Sequence, residues 1–179
     1  VDVSVVYGAT RSDAKSTDVA ATVYTVDEDD IEATQATHVE DLLRTIPGVQ
    51  VIQQGAPGGG VSVFTRGGNS NQTLVIVDGI RINNPMTGSV DLANLTVNQV
   101  RKIEFVKGPF TTLYGSDAMS GVIYIFTKSG AQVDNQISVG AGNFGTMQAD
   151  IALGGGEGER GWAVTGSWLD SDGTRDLNS

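Results

Sequence analysis

Apolar residues in the first two thirds of the chain come in short bursts that switch between two periods. Val39, Leu42, Leu43 and Ile46 fall at i, i+3, i+4 and i+7, one face of a helix. Thr37 and Glu40 supply a T-x-x-E capping box in front of it, and Pro47-Gly48 ends it. His38, the only histidine, is expected to be exposed in the first turn. Upstream, residues 19–26 alternate weakly as a strand and run into DEDDIE at 27–32, whose acids suit the first turn of a second, short helix.

Strand patterns then take over, at VQVI (49–52), VSVFTR (61–66), TLVIVDGIRI (73–82), VRKIEFVKGP (100–109) and the apolar half of GSDAMSGVIYIFTK (115–128). Asp78-Gly79 reads as a two-residue hairpin turn that needs positive φ. QQGAPGGG (53–60) and NNPMTGS (83–89) are too rich in glycine and asparagine to be anything but loops. From Gln136 the pattern changes, because ISVGAGNF, TMQADIALGG and RGWAVTGSWLD all alternate with period two. In the last of these Trp162, Val164, Gly166 and Trp168 share one face, and Ala163, Thr165 and Ser167 the other. The tryptophans stand roughly 20 Å apart along a strand, somewhat less than the ~25 Å apolar band of a tilted outer-membrane barrel strand. A soluble sandwich strand shows the same alternation, so the pattern alone leaves both open.

Composition narrows the function classes. The 179 residues are 39% hydrophobic, enough for one packed domain and part of another. Twenty-four glycines and four prolines without a period indicate many turns and close backbones, hence β structure. A net charge of −10 and basic residues that never form a stripe argue against nucleic-acid binding. The absence of cysteine excludes thiolate metal sites, catalytic thiols and disulfides. The chain starts at Val1 with no basic or apolar leader, so a secretion signal is expected to have been removed or never included. Its apolar runs fall short of the roughly 20 residues of a membrane helix, and a membrane role would require a β-barrel.

Catalytic templates fail on inspection. Around Ser116 and Ser120 the G-x-S-x-G elbow is broken, since Gly115 directly precedes Ser116 and Met119 lies beside Ser120. Neither a Walker lysine nor G-x-G-x-x-G between strand and helix occurs, so no enzyme activity and no cofactor are expected. Asp170, Asp172 and Asp176 in DSDGTRD are similar to a calcium loop, but Gly173 is off the EF-hand spacing. Turn acids are the preferred reading, calcium the minor one.

The ordered set HVEDLLRTIPGVQV, VFTRGGNSNQTLVIVDGIRIN, VRKIEFVKGP and LYGSDAMSGVIYIFTK resembles the plug domain of TonB-dependent outer-membrane receptors, and among them the vitamin B12 receptor group. The resemblance covers nearly all of residues 2–128 and implies an α+β plug domain, with a mixed short-stranded sheet and short helices. The first antiparallel strands of a 22-stranded transmembrane β-barrel would follow it. Residues 1–7 would be a TonB-box-like segment, 8–132 the plug and 133–179 the first barrel strands, in an N-terminal fragment of a longer protein. That resolves the choice left open at the tryptophans. Small residues at Gly115, Ser116, Ala118 and Gly121 are then expected to let the corner lie close to the wall and to its own sheet.

The implied activity is active transport: binding of a scarce nutrient, then release driven by TonB across the outer membrane. Asp2, Val3, Ser4, Val5 and Val6 (DVSVV) resemble the TonB box, which adds a strand to TonB through backbone hydrogen bonds. The same residues would alternatively be the first plug strand. Arg66 stands at one of the family's two plug cations that pair with barrel glutamates, and Lys107 replaces the arginine usual at the other. Tyr124 stands where asparagine is common. Ligand-contacting loops would place Gln53, Gln54, Ala56, Gly58, Gly59, Asn83, Asn84, Met86 and Thr87 at the plug apices, with Pro57 and Pro85 limiting loop freedom. A cobalamin-like corrinoid is the favoured ligand and a ferric siderophore the second. Expected partners are TonB, that ligand and outer-membrane lipid, with no nucleic acid and no metal site. The alternative from another class is a soluble plug-like ligand-binding module without transport.

Overall fold

The computed structural model describes residues 5–7, 14–15, 21–34, 36, 38–53, 60–92, 95–115, 117–130, 133, 135–157 and 160–172. The chain forms two compact units, Val1–Thr127 and Lys128–Ser179.

In the first unit the strands β1 (Val5–Val6) and β2 (Ala14–Lys15) make a short antiparallel ribbon. β3 (Thr22–Val26) leads into α1 (Glu28–Thr34), with Glu28, Asp29 and Asp30 in its first turn, where the helix dipole favours them. α2 (Val39–Thr45) buries Val39, Leu42 and Leu43, and the following Ile46 completes the apolar face. Ile46 is the C-cap, and Gly48 at φ +85° turns the chain into β4 (Val49–Gln53), which pairs antiparallel with β5 (Val61–Thr65).

Thr37, expected to open the capping box of this helix, lies outside the described residues. The N-cap is His38, extended at φ −125° and ψ 148°, with no side-chain cap bond, and its carbonyl accepts from Asp41 N–H at 3.0 Å. His38 is half-buried rather than exposed, and its backbone bridges Thr96. Two N-terminal glutamine back-bonds occur elsewhere: Gln72 Oε1 accepts from Asn69 N–H at 3.0 Å and Gln99 Oε1 from Thr96 N–H at 3.3 Å.

The main sheet continues with β6 (Thr73–Val77), β7 (Ile80–Arg81), β8 (Val100–Lys107) and, after the one-turn α3 (Thr111–Tyr114), β9 (Gly121–Thr127). Its order is β3-β8-β9-β6-β7, with β6 and β9 parallel and the other neighbours antiparallel. Asp78 at φ 46° and Gly79 at φ 88° form the expected hairpin turn between β6 and β7. Asp78 also clips the sheet, its carboxylate accepting from Thr127 N–H at 2.9 Å and from Thr127 Oγ1 at 2.5 Å.

Both faces of this sheet are covered, which explains the nearly continuous apolar runs of β6, β8 and β9. One face carries Val75, Ile103, Phe105, Ile123 and Ile125 against α1, α2 and β5. The other carries Leu74, Ile76, Val122 and Tyr124, with Tyr114 and Ala118 from the corner before β9 folded onto them. Gly121 makes that corner possible, since a Cβ there would sit 2.7 Å from the Phe105 ring and 2.9 Å from Val106 O.

The second unit is a three-stranded antiparallel meander of β10 (Gln136–Ala141), β11 (Met147–Glu157) and β12 (Arg160–Asp170). Cross-strand register puts Ile137, Val139, Ala149, Ile151, Leu153, Trp162, Val164 and Trp168 on one face. Of these, Ile137, Val139, Ile151, Leu153, Trp162, Val164 and Trp168 are exposed. Ser138, Gln148, Asp150, Thr165 and Ser167 share the opposite face with Leu169, and Gln148 Nε2 donates to Asp150 Oδ2 at 2.8 Å.

Leu42 touches the core with no exposed surface. Leu42→Ala is expected to lower unfolding free energy by about 2–5 kcal/mol, read as a shift of the denaturant midpoint. An unchanged midpoint would remove α2 from the core.

Candidate functional site

The two predicted ligand loops meet at their bases. Gly60 ends one and Val90 follows the other, and Val61 and Val90 exchange two backbone hydrogen bonds of 2.9 and 2.7 Å. A shallow depression of about 340 Å³ beside this bridge is lined by Gly60, Ile82, Asn84, Ser89, Val90 and Asp91. Gln53 closes β4 at the other end of the first loop, while Gln54, Ala56, Gly58 and Gly59 lie outside the described residues.

The 83–89 loop is built by its own asparagines. Asn83 Oδ1 accepts from Val75 N–H at 2.6 Å and its Nδ2 donates to Thr73 O at 2.9 Å, so the side-chain amide bonds the edge of β6 as a neighbouring strand would. Asn84 Oδ1 accepts from Met86 N–H at 2.9 Å and Thr87 N–H at 3.2 Å, an Asx turn that raises the tip. Thr87 and Ser89 hydroxyls bond each other at 2.6 Å. The tip therefore presents Pro85, Met86 and Thr87 outward, with Met86 93% exposed. Asn83 is held inward, and sequence patterning gave no hint of that difference between two adjacent asparagines.

Arg66 and Lys107, 41 positions apart in the chain, converge on Gly48. Arg66 N–H donates to Gly48 O at 3.2 Å, and a Cβ on Gly48 would lie 3.7 Å from Lys107 Cε and Nζ. Arg66 sits at φ 53°, which points the chain back after β5 into the turn at Gly67. Its guanidinium forms no ion pair among the described residues and lines a depression of about 470 Å³ with Gln50, Phe64 and Asn69. The Lys107 ammonium stands 4.2 Å from the Tyr24 ring centroid, a cation–π contact in place of a carboxylate. Neither cation is paired with an acid among the described residues, so each is open to an anionic group.

Of the segment read as a TonB box, Val5 and Val6 form β1 and pair with Lys15 and Ala14, while Asp2, Val3 and Ser4 lie outside the described residues. Asp170 ends β12, Asp172 N–H donates to Phe144 O at 3.0 Å, and Gly173 and Asp176 are outside the described residues. Among the described residues no cluster of three metal-ligating side chains occurs.

A two-faced α+β unit with short helices and a mixed sheet, followed in the chain by an antiparallel meander with one apolar face, is the arrangement of a plug-type domain. Residues 15–122 match the family described as TonB-dependent Receptor Plug Domain, and the chain belongs to that family. It is 39% identical over 170 residues to the vitamin B12 transporter BtuB of Vibrio cholerae, covering 94% of this chain and 28% of that protein. The BtuB of Vibrio vulnificus is 38% identical over 150 residues, covering 83% of this chain and 25% of its own. The chain thus spans about a quarter of the length of these curated relatives. Among solved structures, the siderophore receptor PiuA of Acinetobacter baumannii aligns with TM-score 0.59 at 26% identity, over 79% of this chain and 19% of that one. FpvA of Pseudomonas aeruginosa, bound to heterologous pyoverdines, aligns with TM-score 0.70 at 16% identity, over 93% and 22%.

Asn83→Ala strips β6 of a side-chain partner on both a donor and an acceptor, and is expected to destabilise the chain by about 1–3 kcal/mol. Met86→Ala at the exposed tip should change stability by less than about 0.5 kcal/mol. Thermal unfolding of the two variants side by side tests the assignment, and equal midpoints would contradict it.

Proposed function

We propose that this chain is the plug and a run of wall strands of an outer-membrane receptor that imports a scarce nutrient with energy delivered by TonB. A cobalamin-like corrinoid is the favoured cargo. The observation that carries the reading is the 39% identity to a vitamin B12 transporter over 94% of the chain. The exposed apolar face of β10–β12 supports a wall in contact with lipid, since the same face on a soluble module would be left in water. β11 and β12, 11 residues each, have the length of a membrane-crossing strand. The neutral, hydrogen-bonding apices at 83–89, with exposed Met86, suit a large ligand rimmed by amides. A ferric siderophore is the second reading, favoured by the 26% identity to the siderophore receptor PiuA. Gln53, Gln54, Ala56, Gly58 and Gly59 on the first loop, and Asn84, Met86 and Thr87 on the second, form the proposed contact surface, which Asn83 braces from within.

Coupling is assigned to Asp2, Val3, Ser4, Val5 and Val6. Strand addition needs backbone N–H groups, so Val5→Pro and Val6→Pro in the complete receptor are expected to abolish uptake of radiolabelled cyanocobalamin while surface binding persists. Normal uptake by both variants would move the coupling segment elsewhere, and uptake that survives loss of TonB would end this reading.

Arg66 and Lys107 are the proposed plug-side latch for carboxylates of the barrel wall. Arg66→Ala keeps the Cβ and with it the positive-φ burden, and removes the exposed methylene stem with the guanidinium, so the lost charge dominates its effect. It should cost about 1.5–3 kcal/mol of plug retention in denaturant. Lys107→Arg should be neutral or tightening, since it restores a bidentate fork. Unchanged retention for Arg66→Ala would refute the latch.

A further inference from the structure

The second face of the main sheet holds a charged group that neither the ligand loops nor the cation pair uses. Glu104, in the middle of β8, has no exposed surface. Its Oε1 pairs with Lys102 Nζ at 2.6 Å. The same carboxylate accepts the backbone N–H of Tyr7, at 2.9 Å through Oε2 and 3.2 Å through Oε1. Tyr7 is 97 positions away and directly follows β1. A buried carboxylate reaching the main chain of the N-terminal segment is a charge-assisted bond, shorter and stronger than a neutral one.

The Tyr7 ring is seated as well. It meets Tyr124 edge-on at 5.5 Å and 72°, and Phe126 at 6.1 Å and 86°. Tyr124 and Phe126 stack on each other at 4.5 Å, and Lys102 Nζ lies 5.4 Å from the Phe126 centroid. Tyr124, the departure from the family's usual asparagine, thus builds half of the platform. An opening of about 360 Å³ is lined by Tyr7, Ile76, Gly79, Tyr114 and Tyr124.

We propose that Glu104, with the Tyr124–Phe126 stack, is a releasable catch that holds the N-terminal segment against the plug until it is pulled away. The proposal rests on the coupling role given above to residues 2–6. Three observations make the contact a catch rather than a permanent part of the core. β1 pairs with β2 over only two residues. Tyr7 is half-buried beside an opening, so its ring can leave without emptying the core. Lys102 remains against Glu104 when Tyr7 departs, so undocking does not strand a buried charge. Force on the segment would then reach β8, the strand next to β9, whose end the Asp78 clip fastens.

The test uses the complete receptor, purified without TonB, with Ser4→Cys as a labelling site. The rate of reaction with a bulky maleimide reads how often the segment is free. Losing a hydrogen bond to a charged group shifts a docked equilibrium by about tenfold or more. Tyr7→Pro, which deletes the N–H, and Glu104→Gln, which discharges the acceptor, are each expected to raise the labelling rate by about that factor. Tyr7→Phe should match the parent, and Tyr7→Ala, which keeps the N–H, should rise less than Tyr7→Pro. Parent-like rates in both Tyr7→Pro and Glu104→Gln overturn the proposal, and equal rises for Tyr7→Ala and Tyr7→Pro overturn the part given to the carboxylate. If Glu104→Gln fails to assemble, Tyr7→Pro decides alone. The labelling needs no TonB, so a TonB-independent uptake result would sink the coupling reading and leave these rates to be judged separately.

Discussion

Burial of both faces of the β8–β9 pair is the constraint on which the first unit depends. A strand covered on one side needs apolar residues only at alternate positions, whereas Ile103, Phe105, Val106, Val122, Ile123 and Ile125 are all without exposed surface. The helices and β5 cover one side, and the corner from Phe110 to Ser120 folds over the other. That second cover requires the chain to re-enter the sheet with no side chain in the way. Gly121, pressed against Phe105 and the Val106 carbonyl, meets the need.

The same economy of space places the surface groups. The turn at Gly48 receives the main chain of Arg66 on its carbonyl and the Lys107 side chain beside its Cα, and neither cation is paired with an acid among the described residues. At the other loops, the Val61–Val90 bridge joins two segments between which lie the rest of β5 and the whole β6–β7 hairpin. Asn83 completes the arrangement by bonding the edge of β6, and only residues beyond it in the loop are free to face outward.

The second unit obeys a different solvent rule. Its strands are long and regular, and the face with the larger hydrophobic residues is the exposed one. In water such a meander would hide that face. In a bilayer every backbone group still needs a partner, which antiparallel pairing supplies, and the apolar face meets hydrocarbon. The two units therefore carry opposite patterns within one chain, both-sided burial first and one-sided alternation afterwards.

Much of this was legible in the residues themselves. Helical spacing at Val39, Leu42, Leu43 and Ile46, the Asp78-Gly79 turn and the period-two segments after Gln136 depend on local sterics and on which face is apolar, and those are properties of short stretches. His38 was expected in water and is half-buried, because its backbone bridges Thr96, a contact no local window contains. For the same reason nothing in NNPMTGS separates Asn83, bonded to β6, from Asn84, which shapes the tip. Lys107 looked like a lesser arginine until the fold set it over Tyr24. Nothing in VRKIEFVKGP singled out Glu104, and Tyr124 stood only as a departure from a pattern. Only the folded chain, by bringing Tyr7 across 97 positions, made them parts of one contact, because hydrogen bonds and ring packing act over a few ångströms of space whatever the distance along the chain.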